Sequence, residues 1–420
     1  MADNFKIVVF TPPAPVDNEA QKIERLLSAG ADIVSLRKPG IGVRYIESVL
    51  KQLRPELRHR IRLHDNPELA RAFGTGFQLN SRTPQVTDID HSSLSKSCHT
   101  INEVLETSGV DYVTLSPIYD SISKAGYKSQ FDLSSLNLSS ADVRVVAMGG
   151  MTLDRIPLIR AAGFAGAAFL GDVWRDTDSF NRFVRYLTMR NSRLHYVTDG
   201  DSPDDTVNLA LAALRGGCRW VQIRMKNDPY EAVAEVMTEL APKFTALGAT
   251  LIVDDHVDIA AATEGVAGVH LGQTDMPPSE ARKVLSADKV IGFTVNSAIQ
   301  LRAAAQQYRH SIDYLGIGPL RFTSTKKKLA TPLGLDGLED IRLLMTNIGF
   351  IPPAVVIGGV IDTDFKSLAH IGYGGVAVSG AIGHAANPAT SAHLLTTTAA
   401  DLFGHSIEDD YINFVQQIKI

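Results

Sequence analysis

Hydroxyl and cationic side chains stand together in LRFTSTKKK, residues 320–328, where three hydroxyl residues directly precede three lysines. A run of charges is most often the solvated face of a loop. The same residue types also form phosphate sites, because hydroxyl and ammonium groups donate hydrogen bonds to anionic oxygens. The residues that the rest of the chain places beside this stretch decide between the two interpretations.

Further charged residues follow predicted strands in the second half of the chain. Asp255 and Asp275 offer the oxygen ligands that Mg²⁺ takes together with substrate phosphates. Arg224, Lys226 and Lys326 supply positive charge for a polyanion, and an arginine can bind it through two parallel hydrogen bonds. These residues favour a site for a diphosphate with Mg²⁺. The alternative for the two aspartates is N-capping of the helices that follow the strands.

Glycine and serine end the last two predicted strands, as Gly358-Gly359 and Ser379-Gly380. Loops after the seventh and eighth strands of a barrel often bind phosphate through backbone N–H groups, and glycine lets the backbone approach closely. A monophosphate site is therefore predicted beside the diphosphate site, with hydroxyl groups from Thr323, Ser324 and Thr325.

The segments that position these residues occur twice along the chain. The aligned pairs are AGADIVSLRK (29–38) with GGCRWVQIRMK (216–226), LHDNPELA (63–70) with VDDHVDIA (253–260), VDYVTLSPIYDSISK (110–124) with IDYLGIGPLRFTSTK (312–326), and 146–171 with 355–380. Their order is the same in both halves. This pattern indicates a duplication with copies of roughly 200 residues.

Short β-branched runs alternate with amphipathic stretches within each copy. Strand signals in the second copy are RWVQIR, TLIVDD, GVHLG, KVIGFT, DYLGIG, AVVIGG and GVAVSG, and DPYEAVAEVMTELAPKFTALG has helical periodicity. About eight such units per copy predict two tandem (β/α)8 barrels, with a doubly wound sheet as the alternative. The expected domains are residues 1–188 and 192–403, followed by a helical tail at 404–420.

Composition narrows the classes of partner. The 420 residues carry a net charge of -5, which gives no basic field of the kind that attracts nucleic acid or anionic membranes. No signal peptide is predicted at the N-terminus, and the most apolar run, 161–171, is too short to span a bilayer. Two cysteines form no disulfide framework, so we expect a protein of the reducing cytoplasm that binds small molecules. The sequence leaves a homo-oligomer open.

The second half resembles the thiamine phosphate synthase family from about residue 193 to residue 400. The motifs that carry the resemblance are VTD (197–199), VQIRMK (221–226), VDDHVDIA (253–260), GVHLGQTD (268–275), GPLRFTSTK (318–326), IGGV (357–360) and GVAVSGAI (375–382). That family joins a hydroxymethylpyrimidine diphosphate to a thiazole phosphate and releases diphosphate. The resemblance therefore implies two phosphorylated small-molecule substrates and Mg²⁺.

The resemblance also implies roles for individual residues. Gln222, Arg224 and Lys226 would contact the pyrimidine diphosphate, Asp255 and Asp275 would hold Mg²⁺, and Arg224 and Lys326 would be catalytic on the diphosphate. The thiazole phosphate would be bound by Thr323, Ser324, Thr325, Gly359, Ser379 and Gly380. Lys327 and Lys328 have no counterparts in the first copy, so they keep the interpretation of solvated loop charge.

Three substrate-contacting positions depart from the family pattern. Asp254 stands where asparagine is usual, which adds negative charge beside a diphosphate. Thr294 replaces a serine expected to contact the pyrimidine, and Gly380 replaces a phosphate-binding serine, so that contact would come from a backbone N–H.

The first half keeps the glycines and hydroxyls of the phosphate end but loses a metal carboxylate. Its predicted phosphate site consists of Ser121, Ser123, Lys124, Gly149, Gly150 and Gly171, and Arg37 and Asp65 are also retained. Thr83 replaces the second metal carboxylate, and no lysine stands two residues after Arg37. Diphosphate chemistry is therefore not expected in this half.

This half resembles the thiazole tautomerase relatives of the synthase, which move a proton on a thiazole carboxylate phosphate. His99 matches their histidine, and an imidazole suits proton transfer near neutral pH. The alternative for His99 is a loop or capping residue, and His64 is expected to be a hydrogen-bonded structural residue. The alternatives for the protein are a synthase with an inactive first barrel and a non-catalytic sensor of phosphorylated ligands.

Overall fold

Two closed barrels of parallel strands make up the protein. The computed structural model describes residues 5–120, 128–129, 131–133, 136–190, 193–322 and 330–403. The chain divides into two compact units between Phe183 and Val184. In each unit eight strands pair in chain order, and the eighth pairs with the first. The tandem (β/α)8 barrels are confirmed, and the closure of each sheet rules out the doubly wound alternative.

The first barrel alternates strands with helices along residues 6–190. Its strands are β1 (Lys6–Phe10), β2 (Ile33–Leu36), β3 (Ile61–Leu63), β4 (Gly76–Leu79), β5 (Leu94–Cys98), β6 (Tyr112–Leu115), β7 (Arg144–Met148) and β8 (Gly166–Phe169). Its α-helices are α1 (Glu19–Ala29), α2 (Val43–Gln52), α3 (Pro67–Phe73), α4 (Ile101–Leu105), α5 (Ile156–Ala161), α6 (Gly171–Trp174) and α7 (Thr177–Arg190), within which the division between units falls. Short 3₁₀ helices lie at Pro55–Arg60, His91–Ser93 and Leu153–Arg155.

The second barrel has longer helices. Its strands are β9 (Leu194–Val197), β10 (Trp220–Ile223), β11 (Thr250–Asp254), β12 (Gly268–Leu271), β13 (Val290–Val295), β14 (Tyr314–Ile317), β15 (Ala354–Val356) and β16 (Gly375–Val378). Its helices are α8 (Pro203–Arg215), α9 (Tyr230–Ala246), α10 (Val257–Ala262), α11 (Pro278–Val284), α12 (Ala298–Gln307), α13 (Gly334–Asn347), α14 (Phe365–Ile371), α15 (Gly380–Gly383) and α16 (Pro388–Leu402), with a 3₁₀ helix at Asp362–Asp364. Each of the seven runs that predicted a strand coincides with one, and only β13 extends beyond its run, by one residue.

The two barrels differ between their sixth and seventh strands. The second barrel has α13 there, whereas the described residues between β6 and β7 of the first barrel include no helix. Serine, asparagine and aspartate are frequent in FDLSSLNLSSAD, residues 131–142, and these residues compete with helical hydrogen bonds through their side chains. The predicted helical tail at 404–420 lies outside the described residues.

Aromatic rings fill the interior of the second barrel. His195 stacks on Trp220 with ring centroids 4.2 Å apart, and Tyr314 meets both at 5.4 and 5.1 Å. Since β10 and β14 are not paired strands, this contact crosses the inside of the barrel. His270 continues the group at 5.4 Å from Tyr314, and we refer to these four residues as the interior ring cluster. The barrel is therefore a packed core, and ligands must bind at its rim.

None of the helices in the described part of the chain combines the length and apolar character needed to cross a membrane.

Candidate active site

The predicted charged residues stand at the carboxyl ends of the strands of the second barrel. Trp220, Gln222 and Arg224 are spaced by two along β10 and its extension, so their side chains point to the same inner face. Trp220 belongs to the interior ring cluster, Gln222 is buried, and Arg224 is half-buried at the rim. The packed interior thus supports the site directly.

Asp254, the last residue of β11, connects three of the predicted substrate-binding residues. Its Oδ1 accepts a hydrogen bond from Gln222 Nε2 at 2.7 Å. Its Oδ2 lies 3.0 Å from Lys226 Nζ and 3.7 Å from Arg224 Nε. A buried carboxylate persists as a charge only when it is paired in this way. The additional negative charge that the sequence places here is therefore partly compensated by Lys226 and Arg224, which lie beside it.

Asp255 and Asp275 form a carboxyl pair beside this group. Asp255 has a φ of 65°, a left-handed conformation that is uncommon outside glycine, and its carboxylate pairs with Lys226. Burial and the charge of Asp254 raise the pKa of Asp255 to about 7, and a hydrogen bond shared with Asp275 contributes. Burial works against ionisation of Asp275 as well, but hydrogen bonds from Asp255 and from the N–H of Gly272, at 2.6 Å, lower its pKa.

Helix capping does not account for these two aspartates. Helix α10 is preceded by His256 and α11 by Pro277 at their N-cap positions. The carboxylate of Asp275 accepts a hydrogen bond from the backbone N–H of Gly272, which lies three residues earlier in the same loop and not in α11. The capping interpretation is therefore wrong for both.

The carboxyl pair has the donor set of a site for a hard divalent cation. Two adjacent carboxyl groups supply oxygen ligands, and a bound cation would favour the ionised form of both. Among the described residues, no group of three or more His, Cys, Asp and Glu side chains is arranged to hold a metal. Mg²⁺ usually takes one or two carboxylates and completes its shell with phosphate oxygens and water, so a pair is sufficient.

A cavity of about 240 Å³ opens beside the charged group at the rim of the second barrel. It brings together five of the predicted substrate-binding residues, namely Arg224, Thr294, Gly359, Ser379 and Gly380. Main-chain atoms and small side chains line the end formed by the loops after β15 and β16. The cavity has room for a compact ligand group beside these loops, and Arg224 also lines it.

The backbone at Gly359 requires glycine. Its φ is 72°, and a Cβ there would lie 2.5 Å from Cγ of Arg321. Arg321 is fixed by two hydrogen bonds to the carboxylate of Asp364, both 2.6 Å long, and donates a third to the carbonyl of Gly359. The loop after β15 is therefore held close to the loop after β14, and its backbone faces the cavity.

Thr294 is held in position by a hydrogen bond to the interior ring cluster. Nε2 of His270 lies 2.8 Å from Thr294 Oγ1, and Nδ1 of the same ring lies 3.0 Å from the hydroxyl of Tyr314. Gln273 donates a hydrogen bond to the carbonyl of Thr294 at 2.5 Å. The threonine hydroxyl thus has a fixed place in the cavity wall.

Several predicted site residues lie outside the described part of the chain. They are Thr323, Ser324, Thr325 and Lys326 of the second barrel, with Lys327 and Lys328, and Ser121, Ser123 and Lys124 of the first barrel. The roles predicted for them remain predictions from sequence.

Comparison with known proteins identifies the family. The family model described as "Thiamine monophosphate synthase" matches residues 7–173 and again residues 194–382. The chain belongs to the thiamine monophosphate synthase family. The repeated match covers both barrels with the same model, in agreement with the duplication seen in the sequence.

Curated members of this family match the chain over about one copy. The thiamine-phosphate synthase of Bacteroides thetaiotaomicron is 44% identical over 180 residues, which cover 43% of this chain and 84% of that protein. The Bacteroides fragilis enzyme of the same name is 43% identical over 197 residues, covering 46% and 94%. Among solved structures, thiamine phosphate pyrophosphorylase from Pyrococcus furiosus has 27% identity and a TM-score of 0.44, with 51% of this chain and 99% of that chain covered.

The first family copy repeats the local structure of the second with different charges. The N–H of Arg37 bonds to Thr11 Oγ1 at 3.1 Å, as the N–H of Arg224 bonds to Thr198 Oγ1 at 2.9 Å. Ser35 and His64, 2.8 Å apart, occupy the positions of Gln222 and Asp254. Burial lowers the pKa of His64 to about 3. His64 is thus a neutral, hydrogen-bonded structural residue, as predicted.

An arginine pairs with the retained carboxylate of the first barrel. Asp65 has a φ of 62°, close to that of Asp255, and receives two hydrogen bonds from Arg82, at 3.1 and 2.7 Å. Thr83 supplies no carboxylate at the aligned position of Asp275. The charge of Asp65 is therefore compensated by a side chain of the same barrel.

Lys38, which follows Arg37 directly, is unavailable to a ligand. It is buried and forms an ion pair with Glu19 at 2.5 Å, and it donates hydrogen bonds to the carbonyls of Pro12 and Ala14. Burial lowers its pKa despite the glutamate, while burial and the same glutamate raise the pKa of Tyr45 to about 12.

His99 lies exposed after β5. Its ring Nδ1 is 3.2 Å from the carbonyl oxygen of Ser116, and its backbone N–H donates a hydrogen bond to Oε2 of Glu103 at 2.6 Å. Asn296, its counterpart in the second barrel, bonds in the same way to the carbonyl of Gly318 and to Gln300. Thr100 caps α4, so the capping interpretation of His99 is wrong. The contact of His99 with Ser116 agrees with the other interpretation, that of a loop residue.

The glycines of the first barrel's predicted phosphate end keep the expected backbone. Gly149 and Gly150 have φ values of 98° and 61°, against 91° and 72° for Gly358 and Gly359. Gly171 begins α6, as Gly380 begins α15. The described part of this phosphate end is therefore conformationally equivalent in both barrels.

Sequence reasoning missed two residues at the cavity of the second barrel. His384 lines the cavity, and its Nε2 lies 3.2 Å from Asp199 Oδ2. Asp199 is the last residue of the VTD motif, which carries part of the family resemblance, but the resemblance implies no role for this aspartate. His384 lies four residues after Gly380 in a stretch of small residues, and the i, i+4 spacing was its only signal.

Proposed function

We propose that the second barrel is a Mg²⁺-dependent thiamine phosphate synthase that joins hydroxymethylpyrimidine diphosphate to thiazole phosphate. One observation carries the proposal. Arg224, which lines the cavity, pairs with Asp254, and Lys226 pairs with Asp254 and Asp255, while the glycine loops line the same cavity. Such a cavity suits one substrate with a diphosphate and one with a monophosphate.

Each residue has a role in this reaction. Mg²⁺, when held by Asp255 and Asp275, supplies charge neutralisation for the leaving diphosphate. Lys226 and Arg224 turn from Asp254 towards the diphosphate oxygens, and Lys326 adds a further positive charge. The bond from the pyrimidine methylene carbon to the diphosphate oxygen breaks with its electron pair on oxygen. The thiazole nitrogen then donates its lone pair to that carbon. Such chemistry depends mainly on positioning and on stabilising the leaving group.

The neutral contacts orient the two rings. Gln222 and Thr294 would bind the pyrimidine, since both side chains are fixed from the barrel interior. The loops at Gly359, Ser379 and Gly380 would receive the thiazole phosphate through backbone N–H groups. Close placement of the thiazole nitrogen favours its attack over that of water.

The test uses the full chain with both phosphorylated substrates and Mg²⁺, and measures thiamine phosphate and diphosphate. Asp255→Asn should lower kcat/KM at least about 100-fold, the scale for loss of one preorganised charged group. Asp65→Asn, at the equivalent left-handed position of the first barrel, is the matched control and should leave kcat/KM of the synthase reaction unchanged. Absence of thiamine phosphate with the wild-type chain, or equal effects of both variants, would refute the assignment.

We propose that the first barrel is a thiazole phosphate tautomerase. The domain boundaries that we propose are residues 1–188 for this barrel and 192–403 for the second. The observation in its favour is the exposed imidazole of His99, whose Nδ1 is held by Ser116 so that Nε2 can carry the proton. Arg82 compensates Asp65, so the proposed proton transfer needs no metal in this barrel.

Solvent-proton exchange into the thiazole carboxylate phosphate measures this second activity. His99→Asn introduces the residue that occupies the same position in the second barrel, where it keeps the contact to the loop carbonyl. Exchange should disappear in His99→Asn and continue in Asp255→Asn. Exchange that persists in His99→Asn would contradict the tautomerase and favour a first barrel that serves as scaffold.

A further inference from the structure

His384 lies over a glycine at the phosphate end of the second barrel's cavity. A Cβ added at Gly380 would come within 3.1 Å of His384 Nδ1 and 3.4 Å of its Cε1. Both residues line the cavity. The imidazole therefore fills the space that a side chain at position 380 would use.

A buried carboxylate fixes the other ring nitrogen. Nε2 of His384 lies 3.2 Å from Asp199 Oδ2, and the side chain of Asp199 is 7% exposed, against 63% for the histidine. Tyr196 is 3.5 Å from the other carboxylate oxygen through its hydroxyl. Since Nε2 faces this carboxylate, Nδ1 is the ring nitrogen that lies above Gly380, where an imidazole N–H can donate a hydrogen bond to an anionic oxygen.

The first barrel has a basic residue at the same spacing. Gly171 and Gly380 are aligned, and Arg175 and His384 each follow four residues later. Arg175 also faces an acidic residue, Asp172, at 3.7 Å. A basic residue four positions after this glycine is thus common to both barrels, although the residue types differ.

We propose that His384, held by Asp199, is a binding residue for the monophosphate of the second substrate and takes over the contact that a side chain at position 380 would make. The inference rests on the proposed function, because that function assigns the phosphate to this end of the cavity. Gly380 and His384 form one unit, in which the ring lies against the space that a side chain at position 380 would enter.

The experiment measures steady-state kinetics of the full chain with each substrate varied in turn. His384→Ala should raise KM for thiazole phosphate about tenfold or more, the scale of one charge-assisted hydrogen bond, and leave KM for the pyrimidine diphosphate and kcat within about twofold. His384→Arg, which copies the first barrel, should recover most of the affinity. Arg175→Ala is the control in the other barrel and should not change synthase kinetics.

A double-substitution cycle tests the coupling of the two positions. Gly380→Ser should weaken thiazole phosphate binding in the wild-type background, where the serine meets the ring, and strengthen it in His384→Ala. Calorimetric titration of thiazole phosphate gives the same comparison without turnover, so failure of the synthase reaction does not prevent the test. Unchanged affinity in His384→Ala, additive effects in the cycle, or an equal loss for both substrates would overturn the inference.

Discussion

Replacing Asp254 with asparagine should shift the acid limb of the Mg²⁺-dependent activity to lower pH. A carboxylate must be ionised to bind a cation, and the pKa of Asp255 is raised to about 7 by burial and by the adjacent charge of Asp254. Cation binding is therefore lost as the pH falls through about 7. Asp254→Asn removes the charge and keeps an oxygen that can accept the hydrogen bond of Gln222.

The size of the shift follows from the separation of the two carboxyl groups. One pKa unit corresponds to about 1.4 kcal/mol, which two unit charges reach at about 12 Å with an effective dielectric constant of about 20. Carboxyl groups of consecutive residues are closer than this, because their Cα atoms are only about 3.8 Å apart. The pKa of Asp255 should thus fall by at least about one unit.

The assay compares kcat/KM at subsaturating Mg²⁺ between pH 5.5 and 8.5. At pH 6 a group with a pKa of about 7 is roughly one-tenth ionised, and a group with a pKa of about 6 is about half ionised. The ratio of activity at pH 6 to activity at pH 8 should therefore rise about fivefold in Asp254→Asn. An acid limb that stays at the wild-type pH would refute the coupling between the two residues.

Three further substitutions test the energetics of the described contacts. Lys38→Ala leaves Glu19 buried without its partner and should destabilise the first barrel by about 3–5 kcal/mol in urea unfolding, whereas replacing both by apolar residues should recover much of this. Gly359→Ala and Gly150→Ala should each cost about 1–3 kcal/mol because of their positive φ, and of the two only Gly359→Ala should raise KM for thiazole phosphate. Arg82→Ala breaks an exposed ion pair and should change the free energy of unfolding by less than about 1 kcal/mol, with synthase kinetics unchanged.

The fold could be predicted because its signals are local and occur twice. The buried strands are β-branched runs, and DPYEAVAEVMTELAPKFTALG (228–248) contains the whole of α9 (Tyr230–Ala246). The duplication confirmed each weak signal with a second copy. The repeat pattern does not predict the difference between the segments that follow β6 and β14, because it implies the same strand–helix units in both copies.

The site could be predicted only in part, because its electrostatics depend on contacts between distant segments. The types and order of Arg224, Lys226, Asp255 and Asp275 indicated diphosphate chemistry. The hydrogen bond from Gln222 and the ion pair with Lys226 that stabilise the Asp254 carboxylate join residues about thirty positions apart and are visible only in the structure. His384 was missed for the same reason, since Asp199, which fixes it, lies at the opposite end of the repeat.

The two barrels compensate the same carboxylate in different ways. Asp65 and Asp255 share a left-handed backbone at the end of equivalent strands. In the first barrel a guanidinium of the protein provides two hydrogen bonds to that carboxylate. In the second barrel the carboxylate lies beside another carboxyl group and beside Lys226, so an added cation is favoured. A ligand with a diphosphate needs such a cation, whereas a monophosphate can be bound by backbone N–H groups and basic side chains alone. The duplicated glycine loops therefore agree with the proposal of a phosphate site in both barrels, and the change around one aspartate is the reason to propose diphosphate chemistry only for the second.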